Sequence, residues 1–217
     1  GSLIWERGGV AGTWNDGSLG PGPDGLVYAV TTLGENKPKT PGLITAYRLK
    51  DGEEVWRRQV DRPPNQFPAV GRLSKGLNAS VVLSIGLYTD NRIIAMDAKT
   101  GEEQWSLSGP FRPPGKRGYQ AAGDEEGVST RTALGNVRKK CYPNAWGNPS
   151  IDAAGTIYIG HAYGSFLSLH DDNGDGRIDA SEVSELDAEA GFPGAAPALA
   201  PGLVAVATCD SLFVFKG

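Results

Sequence analysis

An internal repeat constrains the fold of this chain more than any other feature of its sequence. Residues 44–56 (ITAYRLKDGEEVW) align without a gap with residues 93–105 (IIAMDAKTGEEQW), and their final tryptophans lie 49 positions apart. Each copy predicts a strand, a tight turn at Asp-Gly or Thr-Gly, and a second strand that ends in tryptophan. We expect each tryptophan to fill the wedge between two neighbouring sheets.

A second element recurs four times: a small and an aliphatic residue, then a turn, then a β-rich run. In three copies glycine directly precedes the run, at Gly25, Gly155 and Gly202, and a third strand recurs at residues 166–169 and 212–215. About four short strands per repeat of about 50 residues are typical of β-propeller blades. A β-sandwich with coincidental hairpins is the alternative. We predict an all-β fold, a small four-bladed β-propeller in which residues 1–217 form a single domain.

The second copy resembles a known repeat family. It carries the complete tryptophan-docking motif of quinoprotein-type (PQQ-repeat) propellers, at Ala95, Asp97, Thr100, Gly101 and Trp105. In the first copy Arg48 replaces the aspartate and Asp51 replaces the threonine, and the third copy loses the motif. The resemblance implies the fold and says little about activity, because one fold hosts many functions.

The two ends of the chain predict how the ring closes. Trp5 has the place of a motif's final tryptophan, and residues 212–217 have the place of a third strand and the start of its turn. We expect residues 2–6 to pair antiparallel with residues 211–216. This pairing would complete a fourth blade and remove two exposed sheet edges.

Residues 108–145, the basic insertion, interrupt the repeat. They contain seven lysines and arginines, namely Arg112, Lys116, Arg117, Arg131, Arg138, Lys139 and Lys140. A long loop between blades is either a solvated surface segment or a docking arm for an acidic partner or an anionic membrane. We interpret the insertion as a surface loop that contributes to partner binding.

A twelve-residue segment, residues 171–182 (DDNGDGRIDASE), has the pattern of a calcium-binding loop. Calcium takes six to eight oxygen ligands, and this pattern supplies them at positions 1, 3, 5, 7, 9 and 12, with glycine at position 6 for a sharp turn. The segment therefore resembles an EF-hand loop. The predicted Ca²⁺ ligands are Asp171, Asn173, Asp175, the Arg177 carbonyl, Asp179 and Glu182.

The flanks of this segment differ from those of an EF-hand. The preceding residues 163–169 read as a strand, whereas the residues after Asp179 predict a helical turn or two with Val183 and Leu186 on one face. A sensor EF-hand works by opening the angle between two helices. With one helix missing, we predict a structural calcium site that fixes a blade connection, not a switch.

Catalytic motifs are scarce. His161 and His170 are the only histidines, and the sequence has no nucleophile elbow, no zinc-binding Cys-x-x-Cys and no phosphate-binding glycine loop. The quinoprotein resemblance implies a cofactor site with adjacent cysteines, but Cys141 and Cys209 are far apart and are either bridged or two thiols. We predict a protein that is not an enzyme, with a relative or fragment of a PQQ-dependent oxidoreductase as the alternative.

The predicted function is a noncatalytic, calcium-binding scaffold or protein-interaction subunit. A carbohydrate-binding module is a further alternative, because Trp14, Trp146 and Tyr163 could stack on sugars if exposed. The net charge of −4 argues against a nucleic-acid partner, and no apolar run is long enough to span a membrane. A glycosylation sequon at Asn78 and the calcium loop favour a secreted or luminal location.

Overall fold

Runs of β-branched and aromatic residues alternate with glycine-rich turns along the chain, and these runs form strands. The structure is a computed structural model that describes residues 1–8, 19–35, 37, 39–64, 66–87, 90–108, 119–122, 138–141, 146–162, 164–188, 191–192, 194, 196–208 and 211–217. At residues 90, 119–122 and 138–141 it describes the backbone only.

Four antiparallel sheets follow one another along the chain, in agreement with the four predicted blades, and within each the strands neighbour one another in chain order. Blade one comprises β1 (Leu19–Pro21), β2 (Leu26–Thr32), β3 (Gly42–Arg48) and β4 (Glu54–Val60). Blade two comprises β5 (Ala69–Gly71), β6 (Ser80–Leu87), β7 (Asp90–Asp97) and β8 (Glu103–Leu107).

The basic insertion follows blade two and contains a separate parallel pair, β9 (Tyr119–Ala122) and β10 (Arg138–Cys141). Blade three comprises β11 (Ser150–Ile151), β12 (Ile157–Gly160), β13 (Ser165–Leu169) and β14 (Val183–Asp187). Blade four comprises β15 (Ala198–Ala200), β16 (Leu203–Ala207) and β17 (Leu212–Lys216).

The buried core lies between the blades. One apolar cluster joins blades one and two, a second joins blades two and three, and a third joins blades three and four. The first strands of consecutive blades also meet, since β1 contacts β5 and β5 contacts β11. The two middle sheets face a neighbour on each side, and the first strands of blades one to three converge, which is the arrangement predicted from the repeat.

The two aligned repeats fold in the same way. The Gly52 amide donates to the Arg48 carbonyl at 2.8 Å, and the Gly101 amide donates to the Asp97 carbonyl at the same distance. Both glycines have a positive φ, 70° and 72°, which favours glycine because it has no Cβ. Each repeat also has an irregularity in register just after the residue opposite its tryptophan.

A tryptophan from one blade packs onto the turn of the next, as the sequence predicts. The Trp56 indole Nε1 donates to the Ala98 carbonyl at 2.9 Å, and the Trp5 Nε1 donates to the Leu49 carbonyl at 2.7 Å. The two rings lie directly against Gly101 and Gly52, where a Cβ would come within 2.6 and 2.7 Å of ring carbons. The turn glycines thus serve both the backbone conformation and the contact between blades.

The predicted pairing of residues 2–6 with residues 211–216 is not present. Residues 1–8 contain no strand, and the pairing described for β17 is with β16. Trp5 nevertheless docks on the blade-one turn, through its hydrogen bond to Leu49 and beside the ring of Tyr47 at 6.3 Å, which is the place predicted for the final tryptophan of a motif.

Gly101→Ala tests the double role of the turn glycine, and Gly25→Ala is its matched control. Both positions have a φ near +70°, but a Cβ at Gly25 has no atom within 4 Å. Each substitution costs about 1 kcal/mol for the backbone conformation, and displacement of Trp56 adds about 1–3 kcal/mol at Gly101 alone. Urea unfolding should separate the two variants by that difference. Equal destabilisation would contradict the packing role.

Candidate calcium site

The predicted calcium loop, residues 171–182, connects β13 to β14 at the end of blade three. It occupies the place that the tight turn with Gly52 or Gly101 has in the first two blades. The His170 amide donates to the Glu182 carbonyl at 3.2 Å and closes the base of the loop. The loop is therefore an enlarged hairpin connection held on a blade edge.

The first half of the loop coils around the Asp171 carboxylate. Asp171 Oδ1 accepts from the amides of Gly174 and Asp175 at 2.7 and 3.1 Å, and its Oδ2 accepts from the Gly176 amide at 2.8 Å. Asn173 Oδ1 accepts from the Asp175 amide at 2.8 Å. Glycines with φ of 75° and 82° at positions 4 and 6 permit this coil, as the pattern predicts for position 6.

Glu182 links the two halves of the loop. Its Oε1 accepts from the amides of Asp172 and Asn173 at 3.0 and 3.2 Å, and its Oε2 accepts from the Asp179 amide at 3.0 Å. Asp179 in turn caps a short 3-10 turn over Ala180–Glu182 by accepting from the Ser181 amide. One glutamate thus ties position 12 to positions 2, 3 and 9.

Both terminal carboxylates of the loop are buried. Asp171 and Glu182 are each 7% exposed. Burial opposes ionisation of Asp171, but hydrogen bonds from the Ser74 hydroxyl and from three loop amides outweigh it and lower its pKa. The carboxylate at position 1 is therefore ionised at neutral pH, which is the state that a hard cation requires.

The carboxylates are not gathered into a metal site. Within the part of the chain that the structure describes, no group of three or more His, Cys, Asp or Glu side chains is arranged to hold a metal ion. The carboxylate oxygens of the loop instead accept hydrogen bonds from backbone amides. The six predicted ligand residues lie in one loop, and their role as ligands stays a prediction.

Both flanks of the loop are strands. The predicted strand before the loop is β13. The helical turn predicted after Asp179 is a single 3-10 turn that ends at Glu182, and its predicted extension over Val183 and Leu186 is wrong, because these residues belong to β14. Pairing with β13 takes precedence over the weak helical pattern, since Val183 lies opposite Leu169 and Leu186 lies opposite Phe166. No pair of helices flanks the loop, so the sensor mechanism has no structural basis here.

The loop packs against blade two. The Ser74 hydroxyl, from the segment between β5 and β6, donates to Asp171, and a Cβ at Gly176 would meet the Leu77 side chain at 2.8 Å. Ile178, 6% exposed, joins the buried cluster that contains Trp105. Among described atoms, the Trp105 indole Nε1 has no hydrogen-bond partner, unlike that of Trp56. The loop thus occupies the position in blade three that corresponds to the turns contacted by Trp5 and Trp56 in blades one and two.

A buried polar cluster around Trp146 is an arrangement that the sequence analysis did not predict. Trp146 donates from Nε1 to Asn91 Oδ1 at 2.5 Å, and its carbonyl accepts from Gln66 at 2.6 Å. His161 lies edge-on to the Trp146 ring at 4.4 Å and is fully buried. Trp146 is 1% exposed, so its proposed stacking on sugars is wrong. The residues of this cluster come from four separate segments, and no local motif marks them.

Several predicted features lie outside the described residues. These are Trp14, Tyr163, Cys209, the side chain of Cys141 and most of the basic insertion. Asn78 is described and exposed, and its side-chain nitrogen donates to Asp97 of the docking motif at 3.0 Å. Glycosylation at Asn78 stays a prediction.

The sequence matches a known family over residues 1–138, and that family is described as outer membrane protein assembly factor BamB. The match spans more than half of the chain. The chain belongs to this BamB-type PQQ-repeat family. No curated protein matches it. Membership agrees with the repeat geometry, since the matched region contains blades one and two with their docking turns.

Solved structures show the same fold. BamB from Moraxella catarrhalis superposes with a TM-score of 0.54 and 13% identity, over 93% of this chain and 46% of that protein. A europium-containing methanol dehydrogenase gives a TM-score of 0.51 and 16% identity, over 88% of this chain and 38% of that enzyme. The quinohemoprotein alcohol dehydrogenase of Comamonas testosteroni gives a TM-score of 0.50 and 17% identity, over 88% of this chain and 32% of that enzyme.

This likeness establishes a PQQ-type β-propeller fold. The chain spans less than half the length of each of these proteins. At this identity the comparison does not assign an activity, because scaffold proteins and enzymes share the fold. The described residues include no helix with the length and apolar character to cross a membrane.

In the folded protein, His161 should remain neutral at pH values far below the ordinary pKa of histidine. Burial lowers its pKa from 6.5 to about 3, whereas a hydrogen bond to Asp172 raises the pKa of His170, which is half-buried. The unfolded chain binds a proton at His161 below pH 6.5 and the folded chain does not. Between about pH 6.5 and pH 3 the free energy of unfolding therefore falls as pH falls, by up to ~1.4 kcal/mol per pH unit from this group.

An NMR titration of the two imidazoles in the calcium-free protein checks this expectation. His170 should titrate above pH 6.5, and His161 should show no titration between pH 8 and pH 5. A midpoint for His161 close to 6.5 would mean that water reaches the ring and that the buried polar cluster is not closed.

Proposed function

We propose that this protein is a noncatalytic propeller scaffold whose junction between blades two and three is stabilised by calcium bound at residues 171–182. The loop itself carries the proposal. It holds two buried carboxylates, at Asp171 and Glu182, and it packs against the Ser74–Leu77 region of the preceding blade. A cation in this loop would strengthen a contact between blades.

The donor set suits calcium in composition. The loop offers oxygen ligands only, from three aspartates, one asparagine, one glutamate and the Arg177 carbonyl, and hard cations of this size prefer such ligands. Five acidic side chains face one arginine across the twelve residues, so a divalent cation would offset strong repulsion. To bind the ion, Glu182 would have to give up some of the hydrogen bonds that it accepts from backbone amides.

Strands on both sides of the loop argue for a structural role. The loop ends are fixed by β13 and β14, which are paired along their length from Leu169 opposite Val183 to Ser165 opposite Asp187. Calcium bound between such fixed ends would stabilise the blade without changing the direction of the chain. A compartment with abundant calcium, secreted or luminal, would keep the site filled.

Calcium should raise the melting temperature of the protein, and chelation should lower it, because an ion that binds only the folded state stabilises it by mass action. At a free calcium concentration of 100 times Kd the gain is about 2.7 kcal/mol. Glu182→Gln should remove most of this gain. Calorimetric melting with calcium and with chelator measures it.

Asp172→Asn is the matched control, since it removes one negative charge inside the loop at a position without a predicted ligand role. It should retain most of the calcium effect. If wild type melts at the same temperature with and without chelator, the loop is not a structural calcium site. If both variants lose the effect equally, general electrostatic attraction replaces ligation as the explanation.

The scaffold role is supported by membership of a family named for an assembly factor. The basic insertion is the proposed partner-binding element, because it lies between blades and carries seven basic residues within residues 108–145. Its strands β9 and β10 pair with each other, and no described pairing joins them to a blade. The partner class that this charge favours is an acidic protein surface.

Deletion of residues 112–140 should leave the propeller folded and weaken partner binding. The circular-dichroism melt of the deletion variant should retain one cooperative transition near that of wild type. Replacement of Arg138, Lys139 and Lys140 by glutamine is the companion variant, and it should weaken binding to an acidic protein surface without altering the melt. Unfolding on deletion would place the insertion in the core and contradict the proposal.

A quinoprotein oxidoreductase is the second candidate function. The favouring observation is the fold likeness to a methanol dehydrogenase at a TM-score of 0.51. An absorbance scan of the native protein separates the two candidates, because bound quinone absorbs at wavelengths where the polypeptide does not. A stoichiometric quinone spectrum would replace the scaffold proposal by an enzymatic one.

A further inference from the structure

The connection between the first two strands of blade two, residues 72–79, is longer than the same connection in the other blades, and we call it the strap. The corresponding connection comprises residues 22–25 in blade one, residues 152–156 in blade three and residues 201–202 in blade four. These shorter connections show that joining the two strands does not require the length of the strap. Its extra residues therefore need another explanation.

The first part of the strap lies in the junction between blades two and three. Leu73 is 4% exposed and belongs to the buried cluster that contains Trp105 and Ile178. The turn between β11 and β12 packs directly on it, because a Cβ at Gly155 would overlap the Leu73 carbonyl oxygen. Blade three thus contacts the strap through a turn as well as through the calcium loop.

The last part of the strap lies in the junction between blades one and two. Ala79 is 2% exposed and belongs to the buried cluster that contains Trp56, and its carbonyl accepts from the Ala98 amide at 2.9 Å. The Asn78 side chain donates to Asp97 Oδ2 at 3.0 Å. The strap is therefore anchored at this end to the turn on which Trp56 docks.

Between its two ends the strap faces the first half of the calcium loop. The Ser74 hydroxyl donates to Asp171 Oδ2, and the Leu77 side chain lies where a Cβ at Gly176 would meet it at 2.8 Å. The other described donors to the Asp171 carboxylate are amides of the loop itself. Among these described contacts, Ser74 is the donor that comes from outside the loop and from another blade.

A hydrogen-bond donor that orients a metal ligand also affects the affinity for the metal. Removal of such a partner typically lowers metal affinity about 10–100-fold, because the ligand is no longer held in the binding orientation. An EF-hand loop is held between two helices. Here β13 and β14 hold the ends of the loop, and the strap lies against its first half. The strap thus provides support that a flanking helix provides elsewhere.

We propose that the strap of blade two is part of the calcium site of blade three, and that Ser74 is the positioning residue that orients Asp171 for calcium. This inference rests on the proposed calcium binding at residues 171–182. It makes the site complete only when the two blades are docked. Docking of the strap then raises calcium affinity, and calcium must strengthen docking of the strap by the same factor, because coupling between two binding events is reciprocal.

Calorimetric titration of the intact protein with calcium tests the role of Ser74. Ser74→Ala should weaken calcium binding about tenfold or more, because the hydroxyl that orients Asp171 is lost. Ser74→Thr keeps a hydroxyl and should restore an affinity close to that of wild type. Ser80→Ala is the matched control, since the Ser80 hydroxyl donates at 2.7 Å to Gln104 within blade two. It should bind calcium as wild type does.

Hydrogen–deuterium exchange tests the reciprocal effect on the strap. Calcium should slow amide exchange in residues 73–79 of wild type, and it should slow this exchange less in Ser74→Ala. The wild-type measurement needs no variant, so it tests the proposal even if Ser74→Ala does not fold.

The outcomes separate this inference from the proposed function. If wild type and Ser74→Ala bind calcium with equal affinity, or if calcium leaves exchange in the strap unchanged, the loop binds calcium without blade two and the inference is wrong. An equal loss of affinity in Ser80→Ala, or no recovery in Ser74→Thr, would assign the effect to general destabilisation and also overturn it. Absence of calcium binding to wild type would defeat the proposed function, and this inference with it.

Discussion

The contact between an indole ring and the turn of the following blade is the constraint on which the structure depends. A blade presents two faces, and a single antiparallel sheet of four short strands cannot bury both of them alone. Trp56 resolves this by covering the turn glycine at 101 and by donating to the Ala98 carbonyl at 2.9 Å. The ring buries apolar area, and its one polar atom is satisfied. This contact also constrains the length of the repeat, because each blade must place its turn against the tryptophan of the preceding blade.

Blade three departs from this constraint at its turn. The twelve-residue loop replaces the tight hairpin that would receive Trp105, and the Trp105 N–H has no partner among the described atoms. An unpaired buried donor costs about 1–3 kcal/mol. The loop offsets this through its contacts with blade two, including the Ser74 hydroxyl on Asp171 and the burial of Ile178. A bound cation would act on a junction that has lost its usual hydrogen bond.

The sequence predicted the features that arise from local periodicity and short motifs. The four sheets, the docking role of Trp56 and the strand before the loop follow from spacing and turn glycines, which act over a few residues. The predicted pairing of residues 2–6 with residues 211–216 is absent, because no local pattern specifies a pairing between the two ends of the chain, whereas the docking of Trp5 on the blade-one turn follows the motif. The helical turn after Asp179 stops at Glu182, because pairing of the next residues with β13 outweighs local propensity. The cluster around Trp146 was missed because it joins segments that are distant in sequence and share no motif.

Blade three departs from the repeat twice, at its turn and at its outer strand, and these two departures have a common physical reason. Once the turn of blade three is enlarged into a loop, the blade no longer needs the exact hairpin geometry of its neighbours, and its outer strand β14 can change composition. Ser184 replaces the tryptophan on that strand, and the junction with blade four is held by the Phe166–Phe215 stack and by Phe192, which is 2% exposed. A stack of rings keeps two blades together without filling the wedge between them. The adhesion of blades three and four thereby depends on stacked phenylalanines, whereas the junctions of blades one and two depend on a docked tryptophan.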